Sequence, residues 1–133
     1  MSDFPNQNSI PTTFELTADA GIEVSTAAGV DTYGAWTEID ASSAAAIRNI
    51  HAQIADIIAI GAARRYTVEF GVGAGSAEIA FARRNFYTST ISQAFDFDFF
   101  LQFNKGSRTA IRIANRTSAD SNNFKCFENI YEE

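Results

Sequence analysis

Gly71, Gly73 and Gly75 are the first residues in the chain whose spacing could do chemistry, because a glycine-rich turn can present backbone N–H groups to a phosphate. The pattern is G-x-G-x-G instead of G-x-G-x-x-G, and no Lys-Ser/Thr pair follows it. The residues after it read as a strand, not as the helix whose N-terminus would hold the anion. The three glycines are therefore expected to supply positive φ angles for a tight or bulged turn. His51 is the only histidine, and no serine or cysteine stands in a G-x-S-x-G elbow, so no nucleophilic triad can be assembled from spacing. Cys126, between Lys125 and Phe127, reads as a packing thiol.

Asp96 and Asp98 share one strand face and could hold a hard cation together with loop oxygens such as those of Asp120 or Asn122. The commoner use of such a pair is to solvate a strand and discourage edge pairing. Asn115, Arg116 and Thr117 form a glycosylation sequon, which has meaning only in a secreted chain. No catalytic, cofactor-binding or metal-binding set emerges, and the chain is not expected to be an enzyme.

The residues singled out are instead candidates for an interface. Two arginine pairs, Arg64 with Arg65 and Arg83 with Arg84, each border a strand, and they suit docking on an acidic surface as well as they suit solvated loops. Phe100 interrupts the polar face of its strand, and Phe4 and Ile10 are apolar positions in an otherwise polar N-terminal segment. Arg108 and Arg112, four residues apart, share a strand face and are expected to pair with Glu78 or Glu69 across the sheet.

Short strands must position these groups. Tyr66 to Phe81 alternates apolar Tyr66, Val68, Phe70 and Val72 with Thr67 and Glu69, breaks at the glycines and resumes at Ile79, which is strand, turn, strand. Phe95, Phe97, Phe99, Leu101 and Phe103 lie on one face of a strand beginning at Ser92. Phe14 to Thr17, Gly21 to Ser25, Thr109 to Ala114 and Phe124 to Tyr131 are further strands, as is Trp36 to Ala41, with the indole expected inward. Ala44 to Ile60 fits helix or strand, and its isoleucines and neighbours favour a strand over Ile47 to Ala55. Residues 1–13, with both prolines and no apolar period, read as an extended arm, and 14–133 as one domain. Eight or so short strands separated by turn signals imply an all-β chain, an antiparallel β-sandwich of jelly-roll-like type with an extended N-terminal arm.

The net charge of −6 opposes nucleic-acid binding, and no apolar run reaches the roughly 18 residues of a membrane helix. One cysteine excludes an intramolecular disulfide, and no targeting signal follows Met1. Acid and base are segregated: Met1 to Ile47 holds no Lys or Arg, and the basic residues begin at Arg48. Twelve Phe in 133 residues imply a large aromatic core or an apolar interface.

Three segments in order, Gly34-Ala35-Trp36 with the strand after it, Tyr66 to Glu78, and Asn104 to Ile113, resemble a group of small tailed-phage virion proteins. In that group a GAW strand, a glycine turn followed by Ser and Glu, and a G-x-R-x-A-x-R strand recur. Here Gly71, Gly73, Gly75, Ser76 and Glu78 occupy the second pattern, with one residue fewer before the serine, and Gly106, Arg108, Ala110 and Arg112 occupy the third. The resemblance implies a β-sandwich virion structural protein and does not settle head or tail; no cofactor is expected. Together with the small size, the arm, the segregated charge and the surplus of Phe, it makes the leading reading a head decoration or cement protein, made in the host cytoplasm. It would bind the major capsid protein on the outer shell as an oligomer, a homotrimer, with no nucleic-acid or membrane partner. The alternative is a tail-fibre or baseplate module whose loop 115–123 and Tyr33, Trp36 and Tyr87 bind host-surface glycans.

Overall fold

The computed structural model describes residues 13–16, 22–43, 46–56, 63–88 and 94–132. Nine strands follow in order: β1 Thr13–Leu16, β2 Ile22–Ser25, β3 Thr37–Asp40, β4 Ile47–Asp56, β5 Arg64–Val72, β6 Ile79–Thr88, β7 Ala94–Phe103, β8 Thr109–Asn115 and β9 Asn123–Glu132. Among the described residues there is no helix, hence none long and apolar enough to cross a membrane. Phe4, Ile10 and all of the expected arm except Thr13 lie outside the described residues, as does most of the segment after Asp56.

The first sheet has the order β1–β9–β4–β7, with β2 also on β9, and the second has the order β3–β8–β5–β6. All pairings are antiparallel. They nest about one point: β5 with β6, β4 with β7, β3 with β8, and β1 and β2 with β9. The chain is a long double ribbon folded back at residues 73–78 and wound so that β4 meets β9 and β5 meets β8, which is the jelly-roll sandwich. β4 resolves the helix-or-strand ambiguity as a strand, because Ile50, Ala52 and Ile54 are buried on one face while Asn49, His51 and Gln53 take the other.

The core lies between the sheets and is mainly aromatic. Phe70 packs on Phe99 at 4.8 Å and on Phe81 at 6.3 Å, while Tyr66 meets Phe124 at 4.9 Å and Phe86 at 5.4 Å. Phe86 meets Phe95 at 4.8 Å across the sheets. This is the alternation the sequence showed on β5 and β7, with every second side chain turned inward. One expectation fails here. Trp36 does not enter this core; it lies just before β3, half-buried on the outside of the second sheet.

Candidate functional site

The outer face of the second sheet is where charge and aromatic rings converge. The loop 26–36 runs beside β8, where Gly34 donates its N–H to the Ile113 carbonyl at 3.0 Å and Asp31 donates to that of Asn115 at 2.8 Å. It carries Tyr33 and Trp36 onto Arg112, and Thr67 and Glu69, which alternation assigns to solvent, are buried, Thr67 between Asn85 and Arg116 and Glu69 between Arg83 and Arg112. Gly71 makes this closure possible. A Cβ there would lie 2.7 Å from the indole Cη2, so the residue is glycine for close approach, and only Gly73, at φ 126°, needs the positive angle expected of the turn. Ser76 supplies the turn's other positive φ, at 68°. Gly71→Ala is expected to cost about 1–3 kcal/mol by displacing Trp36. Chemical denaturation and tryptophan fluorescence check this, and an unmoved emission maximum with unchanged stability would contradict it.

Glu69, 1% exposed, is held by two arginines. Arg112 donates Nε–H to Oε1 at 2.7 Å and Arg83 donates Nε–H to Oε2 at 3.0 Å. Arg112 is itself stacked between Trp36 at 4.3 Å and Tyr33 at 4.4 Å. Burial pushes the Glu69 carboxyl up, and the hydrogen bonds and charges of Arg83 and Arg112 outweigh it, so the group lies below the usual carboxylate range. Four residues earlier on the same face, Arg108 bonds Glu38 at 2.7 Å, Glu78 at 3.1 Å and the Gly73 carbonyl at 3.1 Å. Both arginines of the third sequence motif thus pair across the sheet with Glu69 and Glu78, as their shared face implies. Beside Arg108 a shallow groove of about 650 Å³ runs between the 73–75 turn and Gly106–Ser107, and the cation at its wall is already engaged with two carboxylates.

The other candidate groups separate. Asp98 accepts from or pairs with His51 Nδ1 at 2.7 Å, and Asp96 lies 3.4 Å from His51 Nε2 and accepts from Gln53 at 3.2 Å. Asp120 is bound instead by Arg64 at 2.8 Å, so the proposed union of Asp96 and Asp98 with Asp120 and Asn122 is not formed. Asn122 Oδ1 accepts from Tyr66 at 2.7 Å, from Asn115 at 3.1 Å and from Arg64 at 3.2 Å, which ties the 115–122 loop to the end of the sandwich. Asn115, the sequon residue, is fully buried and engaged on both sides of its amide. Cys126 is buried in the core.

The candidate interface arginines fall into different settings. Arg64 is partly covered and bound to the loop, and Arg65 lies over Tyr87 at 5.6 Å. Arg83 is 63% exposed while holding Glu69. Arg84 lies over Phe99 at 4.9 Å and donates to the Arg83 carbonyl at 2.9 Å. Phe100 stands 81% exposed on β7, and Ile79 and Tyr87, 71% and 59% exposed, are on β6. Ile79 escaped the sequence reading because exposure at a strand start depends on which strand ends the sheet, and only topology decides that.

No family model matches the chain, and no curated protein matches it in sequence. Solved structures do match. A chain in the structure of infectious bursal disease virus Gt strain superimposes with TM-score 0.53 at 10% identity, over 89% of this chain and 32% of that one. One in the structure of deformed wing virus carrying the GFP gene gives TM-score 0.52 at 8% identity, over 100% of this chain and 47% of that one. The T=1 particles derived from infectious bursal virus give TM-score 0.50 at 9% identity, over 92% and 32%. This chain therefore spans between about a third and a half of the virus-particle chains it matches, and at these identities the likeness is one of fold.

Proposed function

We propose that the chain is a virion structural protein, in its finer form a phage decoration or cement protein that binds the outside of a capsid shell as an oligomer and stabilises it. The coarser part is supported by a jelly-roll fold similar to that of chains in two virus-particle structures. The finer part rests on the three motif segments, all of which help to build the scaffold: Gly71 seats Trp36, and Arg108 and Arg112 tie the β8 segment to Glu78 and Glu69.

The observation that carries the reading is how the charged groups are used. On the outer face of the second sheet the buried side chains of Glu69 and Glu78 are paired with Arg112 and Arg108, and Arg112 lies between two rings, which suits a rigid block whose remaining surface makes contacts. Among the described residues of this face the acids and bases are taken up by these pairs, and we read the chain as non-enzymatic. Of the rings the glycan alternative would use, Tyr33 and Trp36 each have one face laid against Arg112, while Tyr87 stands exposed on β6. Several weak contacts per oligomer would sum to firm attachment through avidity.

The test is sedimentation of the purified chain with capsid shells lacking it, together with its copy number in whole virions. Shell-bound chain in hundreds of copies, with a rise in the shell's melting temperature, is expected. A handful of copies, or density for the chain confined to the tail in electron cryomicroscopy, would overturn the head assignment.

A further inference from the structure

β6 and β7 are each the last strand of their sheet, and they lie one above the other on the same side of the sandwich, with Phe86 against Phe95 at 4.8 Å and Phe81 against Phe103 at 5.2 Å. Both are ten residues long, whereas β1, β2 and β3 at the far edges have four each. Among the described residues neither has a strand partner on its outer side. The Arg83 carbonyl is taken by the Arg84 guanidinium instead of by β5, so by the alternation of an antiparallel ladder the backbone groups of Asn85 and Tyr87 also turn outward.

Edge strands commonly carry charge to prevent pairing. Here the two edges carry opposite charge: Arg83 and Arg84 on β6, and Asp96 and Asp98, 57% and 55% exposed, on β7. Like edges would repel and unlike edges attract. Three of the four large hydrophobic side chains exposed among the described residues, Ile79, Tyr87 and Phe100, are on these same strands. Blunting alone calls for neither feature.

We propose that this side of the sandwich is a self-association surface on which β6 of one copy lies along β7 of a second copy, and the reverse, about a two-fold axis parallel to the strands. The contacts of Phe86 with Phe95 and of Phe81 with Phe103 show that β6 and β7 run antiparallel, and such an axis preserves strand direction, so each new pair is antiparallel. The axis also preserves height along the strands. Arg84 sits over Phe99, so Arg83 and Arg84 come level with Asp96 and Asp98 of the second copy. Each sheet of one molecule then continues into the other sheet of its mate, with outward side chains on one surface and the aromatic seam under Arg84 closed. The contact is two-fold, in place of the homotrimer of the sequence reading, and it rests on the reading of the chain as a self-associating virion component.

Two charge variants test it. Asp96→Lys with Asp98→Lys makes both edges basic, and Arg84→Glu with Asn85→Glu, Arg83 being kept for Glu69, takes the net charge of β6 from two positive to one negative, so that both edges are net acidic. Sedimentation equilibrium of the wild-type chain is expected to give a dimer weakened by salt. Each variant alone is expected to dissociate at least about 100-fold more readily, since like charges are then juxtaposed. An equimolar mixture of the two, in which every edge contact is again of opposite sign, is expected to recover the dimer. Circular dichroism of each variant establishes that it is folded, and Asn85→Pro, which removes one outward N–H without changing charge, is expected to weaken the wild-type dimer as well. If the wild-type chain associates and the charge variants associate equally, this surface is wrong and self-association stands on another one. If the wild-type chain stays monomeric at every concentration and salt, both the surface and the self-association reading fall.

Discussion

Arg112→Ala is expected to destabilise the chain by about 3–5 kcal/mol at neutral pH, because it strips a buried carboxylate of one of its two cations. Glu69 is 1% exposed, while Arg83, its other partner, is 63% exposed and so is screened by solvent. The ring stack on Tyr33 and Trp36 is lost with the same side chain. Arg83→Ala is expected to cost less, since a mostly solvated guanidinium contributes less than one covered by two rings. The Glu69→Gln/Arg112→Ala double variant is expected to regain part of the loss, with a coupling of about 1–3 kcal/mol in a double-mutant cycle.

The pH dependence follows from the direction of the shift. Arg83 and Arg112 hold the folded Glu69 carboxyl below its unfolded value, so their stabilisation is complete above about pH 4.3, the unfolded carboxyl's value, and is lost as pH falls through the lower folded value. In Arg112→Ala much of that support is gone, so the gap between wild type and variant is expected to narrow as the solution is taken from pH 7 to pH 3. Urea titrations across this range measure it. A gap that stays constant would mean that the loss is one of packing and not of charge.

Phe70→Ala is expected to cost about 3–5 kcal/mol, the other large effect. The ring is 1% exposed and touches Phe97 and Phe99 of the opposite sheet as well as Phe81 of the neighbouring strand, so its removal leaves a cavity between three strands. Phe100→Ala, one position beyond Phe99 but pointing to solvent, is expected to change stability by less than about 0.5 kcal/mol. Equilibrium denaturation of the two variants gives the comparison, and a loss below about 1.5 kcal/mol for Phe70→Ala would remove it from the centre of the core.

Local pattern by itself determined the strands and their inward faces. Phe95, Phe97 and Phe99 alternate with acids, Tyr66, Val68 and Phe70 alternate with Thr67 and Glu69, and a period of two reports which side chains share a face whatever the partner strand is. That Arg108 and Arg112 pair with Glu78 or Glu69 was legible for the same reason, and the structure decides which arginine takes which carboxylate. What only the tertiary structure decided is what covers each face and which strands end a sheet. Glu69 and Thr67 look solvated in sequence and are buried, because Arg112 and Arg116 of the β8 segment lie on them with Tyr33 and Trp36 stacked on Arg112, and Gly71 reads as a turn residue when its missing side chain is the seat of an indole. Asp96 and Asp120 look like companions and pair instead with His51 and Arg64 at separate places. These are long-range contacts, set by how the ribbon winds about residues 73–78, and periodicity along one strand carries no information on that winding.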